Sequence, residues 1–157
     1  MAEIELPCGR KFLIDDADLP LLEGYNLYAR KVRDIVYVNA LPKVGSGKKR
    51  LPLHKVITGY RRTDHKNGDG LDNRRENLRP CTHAENMRNS RKKSTAKNPF
   101  KGVFWHAAAG RWMAQIKVDL RAIYGGLFDD PEAAARAYDA LAVEHHGEFA
   151  RLNFPNE

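Results

Sequence analysis

The alternation of apolar and polar positions predicts a series of short strands in the first 60 residues. The predicted strands are Ile4–Leu6, Lys11–Ile14, Tyr25–Lys31 and Ile35–Leu41. Pro7-Cys8-Gly9 separates the first two strands as a turn, and Arg33-Asp34 joins the last two as a hairpin. Between the two pairs, the acidic residues from Asp15 onward predict a short helix through Leu22, which Gly24 ends. This part of the chain is therefore expected to be rich in strands.

The last third of the chain has the pattern of three strands followed by one helix. Its central strand alternates strictly, with one face formed by Trp112, Ala114, Ile116 and Val118 and the other by Met113, Gln115 and Lys117. Val103–Trp105 precedes this strand and Ala122–Tyr124 follows it. Asp130 is expected to cap the helix, with Pro131 at the first helical position and the end near His146.

Residues 60–90 hold the densest group of polar residues that could take part in chemistry. Asp64-His65 closes an extended segment, a glycine-rich polar loop follows, and Leu78–Cys81 returns as a second short strand. Thr82 and Glu85 have the spacing of a capping box, which predicts a helix that carries Asn86 in its first turns. The expected order is strand, loop, strand and helix.

Composition restricts the possible classes of protein. Of the 157 residues, 42% are hydrophobic, which is enough for a folded core and argues against wholesale disorder. No apolar run approaches the roughly 20 residues that a membrane span needs, and the N-terminal residues do not resemble a signal peptide. Cys8 and Cys81 are too few for a disulfide scaffold and belong to no CxxC pair. A reduced cytoplasmic protein without structural zinc and without a membrane contact is expected.

The net charge of +7 indicates an anionic partner, with a solvated basic surface as the alternative. The charge is uneven, because residues 61–101 carry twelve Lys or Arg against five Asp or Glu, whereas residues 102–157 carry five against eight. Residues 91–99 contain basic and polar residues and no acid, which is typical of a linker. This basic linker is either a solvated tether or, as we favour, a strip that neutralises phosphates.

The ordered set Asp64, His65, Asn77 and Asn86 resembles the HNH endonuclease family, in the phage and mobile-element form whose last His is replaced by Asn. The phrases DHKNGDGLDNRRENLR and CTHAENMRN carry this resemblance. It implies a ββα-metal hairpin and helix, with His65 as the general base that takes a proton from the attacking water. It also implies that Asp64 and Asn86 bind one divalent ion, and that Asn77 orients the His65 ring or its loop.

These residue types suit the hydrolysis of a phosphodiester. A histidine with a pKa near 6.5 can accept a proton from water near neutral pH. Carboxylate and amide oxygens favour Mg²⁺ (or Mn²⁺) over zinc, and a single central carboxylate favours one ion per active site. Asp69 and Asp72 are expected only to form turns, and His83 is expected to be exposed. The candidate phosphate clamps nearby are Arg74, Arg75 and Arg79.

The segment from Lys101 to Pro155, with the phrases EAAARAYD and LNFP, resembles the plant ethylene-response-factor or Apetala-type DNA-binding domain. The resemblance implies a three-stranded sheet in the major groove of DNA with a helix packed behind it. It implies DNA contacts from Lys101, Gln115, Lys117 and Tyr124. The plant pattern carries arginines in the first strand where this chain has Phe104-Trp105-His106, so a weaker or different sequence specificity is expected. Trp105 itself is either part of the core, which we favour, or a contact to DNA.

Together these patterns predict an α+β protein with two modules. An N-terminal β-rich segment and a ββα-metal module are followed by a three-stranded antiparallel sheet packed on one helix. The HNH module is expected over residues 1–90, with 1–60 as a support and DNA-contact region and 60–90 as the ββα-metal motif. The basic linker then covers 91–99, and the Apetala-type domain covers 100–155.

The predicted function is that of a homing endonuclease, acting as a monomer on double-stranded DNA without a protein partner, in the cytoplasm of the host cell if a phage encodes it. The expected DNA contacts come from Arg74, Arg75, Arg79, Arg88, Arg91, Lys92, Lys93, Lys101, Arg111, Gln115, Lys117 and Tyr124. The first alternative is a non-catalytic, sequence-specific DNA-binding regulator. The second, an RNA-binding protein, is disfavoured because the chain lacks an aromatic RNP pattern and a GXXG loop.

Overall fold

The computed structural model describes residues 1–90 and 98–155. The chain divides into two compact units, residues 1–86 and residues 87–157, and contains both helices and strands. Among the described residues, no helix is both long enough and apolar enough to cross a lipid bilayer. Three of the residues expected to contact DNA, Arg91, Lys92 and Lys93, lie outside the described part.

The described part of the first unit contains small antiparallel sheets and short helices. Its strands are β1 (Ala2–Glu5), β2 (Lys11–Ile14), β3 (Tyr25–Val32), β4 (Ile35–Pro42), β5 (Leu51–Pro52), β6 (Thr63–His65) and β7 (Leu78–Pro80). Its helices are a 3-10 helix (Asp16–Leu22), α1 (Leu53–Thr58), a 3-10 turn (Arg75–Asn77) and α2 (His83–Arg88), whose last two residues belong to the second unit. The sheets pair β1 with β2, β3 with β4 and β5, and β6 with β7.

Local sequence explains two of the boundaries in this unit. Val32 pairs with Ile35, so Arg33 and Asp34 form a two-residue hairpin turn, and Arg33 takes a φ of 55°. A positive φ in such a turn matches the right-handed twist of the strands that it joins. Helix α1 ends because Gly59 adopts the left-handed conformation, with a φ of 69°.

One hydrophobic core joins the N-terminal strands to the segment that carries Asp64 and His65. Its buried side chains are Leu6, Phe12, Ile14, Val38, Leu53, Ile57 and Leu78. The Leu13 N–H donates to the Leu71 carbonyl, and the Asn73 N–H donates to the Leu13 carbonyl, both at 2.9 Å. Because these two bonds connect β2 to the loop before β7, the first 60 residues support that loop directly.

The second unit is a three-stranded sheet with a helix on one face. Its elements are β8 (Val103–His106), β9 (Arg111–Val118), β10 (Arg121–Phe128), α3 (Pro131–His146) and a 3-10 turn (Gly147–Phe149). The strands are antiparallel in the order β10-β9-β8. The core between sheet and helix consists of Val103, Ala114, Ile116, Ala134, Ala135, Tyr138 and Ala142. The Ala133 N–H donates to the Asp130 carboxylate at 2.8 Å, which is the expected N-cap.

Two features of the sheet differ from the sequence-based expectation. Strand β10 does not end at Tyr124, because a bulge between Tyr124 and Gly126 allows the strand to continue to Phe128. The favoured core position of Trp105 is wrong: its side chain is 55% exposed. Trp105 lies on the edge strand β8 opposite Trp112, and the two rings meet edge-on with their centroids 5.1 Å apart.

Candidate active site

Strands β6 and β7 bring Asp64 and His65 into the interior of the first unit. The antiparallel register pairs Asp64 with Arg79 and His65 with Leu78. All four residues are buried, with His65 only 4% and Asp64 only 5% exposed. Burying a charged or polar group costs free energy unless the group is paired. The side chains of Asp64, His65 and Arg79 therefore require partners from the surrounding chain.

Arg79 is the partner of Asp64. Its Nε and Nη2 atoms donate to Oδ2 of Asp64 at 3.0 and 2.8 Å. Sequence reasoning assigned Arg79 to DNA phosphates, whereas the strand register directs its guanidinium into the protein. The pair compensates two buried charges and holds the Asp64 carboxylate in one orientation.

The surroundings of His65 favour its neutral form. Burial lowers the pKa of His65 below its usual value, although Asn73 and the charges of three nearby aspartates act in the opposite direction. Asn73 is itself fully buried, and its Nδ2 donates to the Gly70 carbonyl at 3.3 Å. A neutral imidazole at pH 7 can accept a proton, as a general base must.

Two further aromatic rings pack against His65, and sequence reasoning assigned neither of them to the site. Ring centroids of Tyr37 and His54 lie 5.7 and 5.1 Å from that of His65. Among the described residues, Nδ1 of His54 is buried without a hydrogen-bond partner. Burial and the neighbouring His65 together lower the pKa of His54 to about 3. The sequence offered one signal for His54, because it is a histidine within the apolar segment that forms α1.

Asn77 fastens the loop that follows His65. Its Oδ1 accepts from the Asn67 N–H at 3.0 Å, and its Nδ2 donates to the Asp72 carbonyl at 2.7 Å. Its backbone carbonyl accepts from the Lys66 N–H at 2.9 Å. The Asn77 side chain thus contacts the loop at Asn67 and at Asp72. Of the two roles suggested for Asn77, to orient the His65 ring or to hold its loop, these contacts fit the second.

Asp72 does more than form a turn. It is buried, and its carboxylate accepts from Nε and Nη2 of Arg74, each at 2.8 Å, and from Nδ2 of Asn67 at 2.9 Å. These bonds to Arg74 lower the pKa of Asp72 below its usual value. Asp69 accepts from the Leu71 N–H at 2.9 Å and is the turn former that the sequence indicates.

The Gly70 position allows this loop to pack closely against β4. A Cβ atom added at Gly70 would lie 2.5 Å from both Cδ1 of Tyr37 and the Val36 carbonyl oxygen. We expect Gly70→Ala to lower the free energy of unfolding by about 1–3 kcal/mol, because the loop or the ring must move. Thermal unfolding measures this, and an unchanged melting temperature would contradict the close packing.

Asn86 lies on α2, which begins with the expected capping box. The Thr82 N–H donates to Oε2 of Glu85 at 2.7 Å, and the Glu85 N–H donates to Oγ1 of Thr82 at 3.2 Å. Asn86 is half-buried and His83, on the same helix, is exposed. The sequence prediction for the start of this helix is therefore confirmed.

The donor set of Asp64 and Asn86 fits a hard divalent cation. Carboxylate and amide oxygens are ligands for Mg²⁺, which keeps several waters and needs only one or two carboxylates. Within residues 1–90 and 98–155, no three His, Cys, Asp or Glu side chains are grouped as a metal site.

Arg75, like Arg74 and Arg79, has an acidic partner. Arg75 donates to Asp18, which is only 3% exposed, at 2.7 to 3.1 Å. Its backbone N–H donates to Oδ2 of Asp15 at 2.8 Å. These contacts connect the 3-10 turn before β7 to the N-terminal 3-10 helix. Arg75 therefore has a structural role, although part of its side chain is exposed.

In the second unit, the residues expected to contact DNA fall into three groups. Lys117 and Tyr124 are exposed, and Gln115 shares their face of the sheet. Lys101 is half-buried and its Nζ donates to the carbonyls of Arg88 and Ser90, while burial lowers its pKa to about 8. Two cations pair with surface acids, Arg88 with Asp119 and Arg111 with Asp129.

Residues 63–88 match the family described as HNH endonuclease. The chain is also 50% identical over 46 residues to an AP2/ERF and B3 domain-containing protein of Oryza sativa subsp. japonica, a match that covers 29% of this chain and 13% of that protein. It is 36% identical over 76 residues to APETALA2-like protein 2 of Oryza sativa subsp. indica, covering 48% of this chain and 17% of that protein.

A third relative is an ethylene-responsive transcription factor of Arabidopsis thaliana, 34% identical over 73 residues, covering 45% of this chain and 40% of that protein. The chain thus spans less than half the length of each of these relatives. The HNH match points to a nuclease and the plant relatives point to DNA as the partner. Both resemblances noted in the sequence are confirmed: the chain combines an HNH endonuclease segment at residues 63–88 with similarity to the AP2/ERF transcription factors.

Proposed function

We propose that the protein is a metal-dependent homing endonuclease that cleaves double-stranded DNA. The observation that carries this proposal is the buried His65, held neutral beside Asp64 on β6 in a segment that matches the HNH family. A neutral histidine next to a carboxylate that can bind a cation suits the hydrolysis of a phosphodiester.

His65 is the general base in this proposal. Its imidazole takes a proton from the water that attacks the phosphorus atom, and the surrounding rings of Tyr37 and His54 keep bulk water from the imidazole. Asn77 acts as a positioning residue through its hydrogen bonds to the loop that follows His65.

Asp64 and Asn86 would hold one divalent ion, Mg²⁺ or Mn²⁺. When bound, such an ion stabilises negative charge on the phosphate and on the leaving oxygen. Arg79 fixes the orientation of the Asp64 carboxylate through its two hydrogen bonds to Oδ2. This positioning role replaces the phosphate contact that sequence reasoning suggested for Arg79.

The second unit and the basic linker would bind the target duplex and bring it to the HNH segment. The exposed cations would supply affinity that does not depend on the base sequence, and the sheet would discriminate between base sequences. The assignment of DNA binding to the second unit is supported by the plant relatives, whose names describe transcription factors. We propose that one copy of the chain acts on DNA in the cytoplasm of a host cell.

The test is cleavage of supercoiled plasmid and of source genomic DNA with added Mg²⁺, with Mn²⁺ and with EDTA. We expect cleavage only with a divalent ion, and Asn86→Ala is expected to raise the Mg²⁺ concentration needed for half-maximal rate at least tenfold. Asp64→Asn should act in the same direction, with thermal unfolding to verify that the variant is folded. A metal requirement unchanged in both folded variants would place the ion elsewhere.

A second candidate function is a DNA-binding regulator without nuclease activity, favoured by the transcription-factor names of the relatives. It predicts specific binding of duplex DNA and no cleavage under any metal condition. End mapping of the incubated DNA separates the two candidates, because only the endonuclease produces new 5′ and 3′ ends at a defined position.

A further inference from the structure

His54 on α1 is a histidine of the candidate site to which the proposed reaction gives no part in the chemistry. Two core residues flank it along the helix, Leu53 at 0% and Ile57 at 5% exposed. The Thr58 hydroxyl donates to the His54 carbonyl at 2.7 Å. The backbone that carries the His54 ring is therefore anchored to the core of the first unit.

The rings of His54 and His65 meet edge-on. Their centroids are 5.1 Å apart and their planes are inclined by 84°. The Tyr37 ring packs against both histidines, and its centroid lies 6.1 Å from that of His54. Near-perpendicular contacts of this kind are a favoured arrangement of aromatic rings. The two imidazoles are therefore held close enough to act on the same small group.

The two ring nitrogens of His54 have different surroundings. Nδ1 is buried, and within residues 1–90 and 98–155 it has no hydrogen-bond partner. No described residue forms a hydrogen bond with Nε2 either, but Nε2 is not sealed from solvent as Nδ1 is. A buried N–H without an acceptor loses its hydrogen bond on folding, whereas an N–H at Nε2 can reach water or a ligand. The ring proton therefore belongs on Nε2.

The charge state of His54 separates its chemistry from that of His65. Burial and the neighbouring His65 lower the pKa of His54 to about 3, so its ring is neutral near pH 7. So weak a base does not take a proton from water at this pH. A neutral imidazole with its proton on Nε2 is instead a hydrogen-bond donor that no described residue uses.

We propose that His54 is a second catalytic residue, whose Nε2–H donates to a non-bridging oxygen of the scissile phosphate. The inference rests on the proposed endonuclease function and adds a residue to its site. Negative charge on the phosphate oxygens changes in the transition state, and a donor aimed at that charge in a partly buried site stabilises it. The proton stays on Nε2 throughout, while His65 takes the proton of the attacking water.

The arginines of the HNH segment leave this place to another donor. Arg74, Arg75 and Arg79, which the sequence offered as phosphate clamps, are each paired with an aspartate. His54 forms no such pair, and its ring packs directly on that of His65. A donor beside the general base is where the phosphate must lie when water attacks it.

Two substitutions separate the donor from the shape of the ring. His54→Phe keeps a planar ring and removes the donor, whereas His54→Gln keeps a side-chain N–H donor. Single-turnover cleavage with Mg²⁺ should slow about 10²–10³-fold in His54→Phe, the usual loss for one such donor. His54→Gln should recover most of that loss. Both should bind uncleaved DNA in EDTA within about twofold of the parent, because the hydrogen bond strengthens in the transition state.

His83→Phe is the matched control, since the same substitution is made at the exposed histidine of α2. It should cleave within about twofold of the parent protein. Thermal unfolding of the three variants verifies that each is folded.

Duplexes with sulfur in place of either non-bridging oxygen of the cleaved bond test the contact at the atom itself. Sulfur accepts a hydrogen bond more weakly than oxygen. One isomer should slow the parent protein equally in Mg²⁺ and in Mn²⁺, because a hydrogen bond to His54 does not depend on the metal. The same isomer should cause no further loss in His54→Phe. If His54→Phe does not fold, the parent decides alone, and the lack of such an isomer overturns the proposal.

The remaining outcomes separate this inference from the function on which it rests. A parent protein that cleaves DNA and a folded His54→Phe that cleaves equally fast overturn the inference and leave the endonuclease intact. Equal losses in His54→Phe and His54→Gln would mean that only the shape of the imidazole matters, and they overturn it as well. A parent protein that cleaves under no metal condition overturns both.

Discussion

Replacing His65 with alanine is expected to lower the rate of DNA cleavage by about 10²–10⁴-fold, the usual contribution of a general base. The affinity for uncleaved DNA should change by less than about twofold, because proton transfer stabilises the transition state and not the bound substrate. Single-turnover cleavage of a labelled duplex and filter binding in EDTA measure the two quantities separately.

His83→Ala is the matched control for this prediction. The same substitution is made within the HNH segment, but His83 is exposed on α2 whereas His65 is buried on β6. Cleavage by the control should remain within about twofold of the parent protein. If His65→Ala also cleaves within a few-fold of the parent rate, His65 is not the base.

Replacing Arg79 with alanine is expected to destabilise the first unit by about 3–5 kcal/mol, which is typical when one partner of a buried ion pair is removed. The reason is that Asp64 would remain as a buried carboxylate without the guanidinium that compensates it. Denaturant unfolding followed by circular dichroism measures the loss. Activity should fall as well, because the carboxylate that is proposed to bind the ion loses its fixed orientation.

The same variant distinguishes a structural role of Arg79 from a contact with DNA phosphate. A phosphate contact would leave the unfolding free energy unchanged, reduce affinity for all duplexes alike and lower the slope of the salt dependence by about one. Arg61→Ala is the control, since Arg61 is exposed. It should change the unfolding free energy by no more than about 0.5 kcal/mol.

Local features of the structure were predictable from the sequence because their causes are local. The hairpin at Arg33, the capping box at Thr82 and the N-cap at Asp130 each depend on residues no more than four positions apart. The alternation along β9 likewise determines which side chains face α3, and Ala114 and Ile116 are buried as expected. Short-range patterns of this kind need no knowledge of the remaining chain.

The parts of the site that sequence reasoning missed depend on contacts between distant segments. Arg79 is buried only because β6 and β7 pair in the register that places it opposite Asp64. His54 and Tyr37 reach His65 only through the packing of α1 and β4, so neither could be assigned from the motif. Trp105 was misplaced because burial changes along the edge strand β8: Val103 is 1% exposed, whereas Trp105, two residues further on, is 55% exposed.

The two backbone hydrogen bonds between Leu13 and the loop after His65 limit which part of the chain can be transferred to another protein together with the HNH segment. A graft that transferred only residues 63–88 would leave behind Leu13, which bonds to Leu71 and Asn73, and Asp18, which pairs with Arg75. The transplanted loop would lose its backbone partners and much of the core beneath Leu78. Recombination that preserves activity is therefore expected to exchange the whole of residues 1–86, with its crossover in the basic segment that follows.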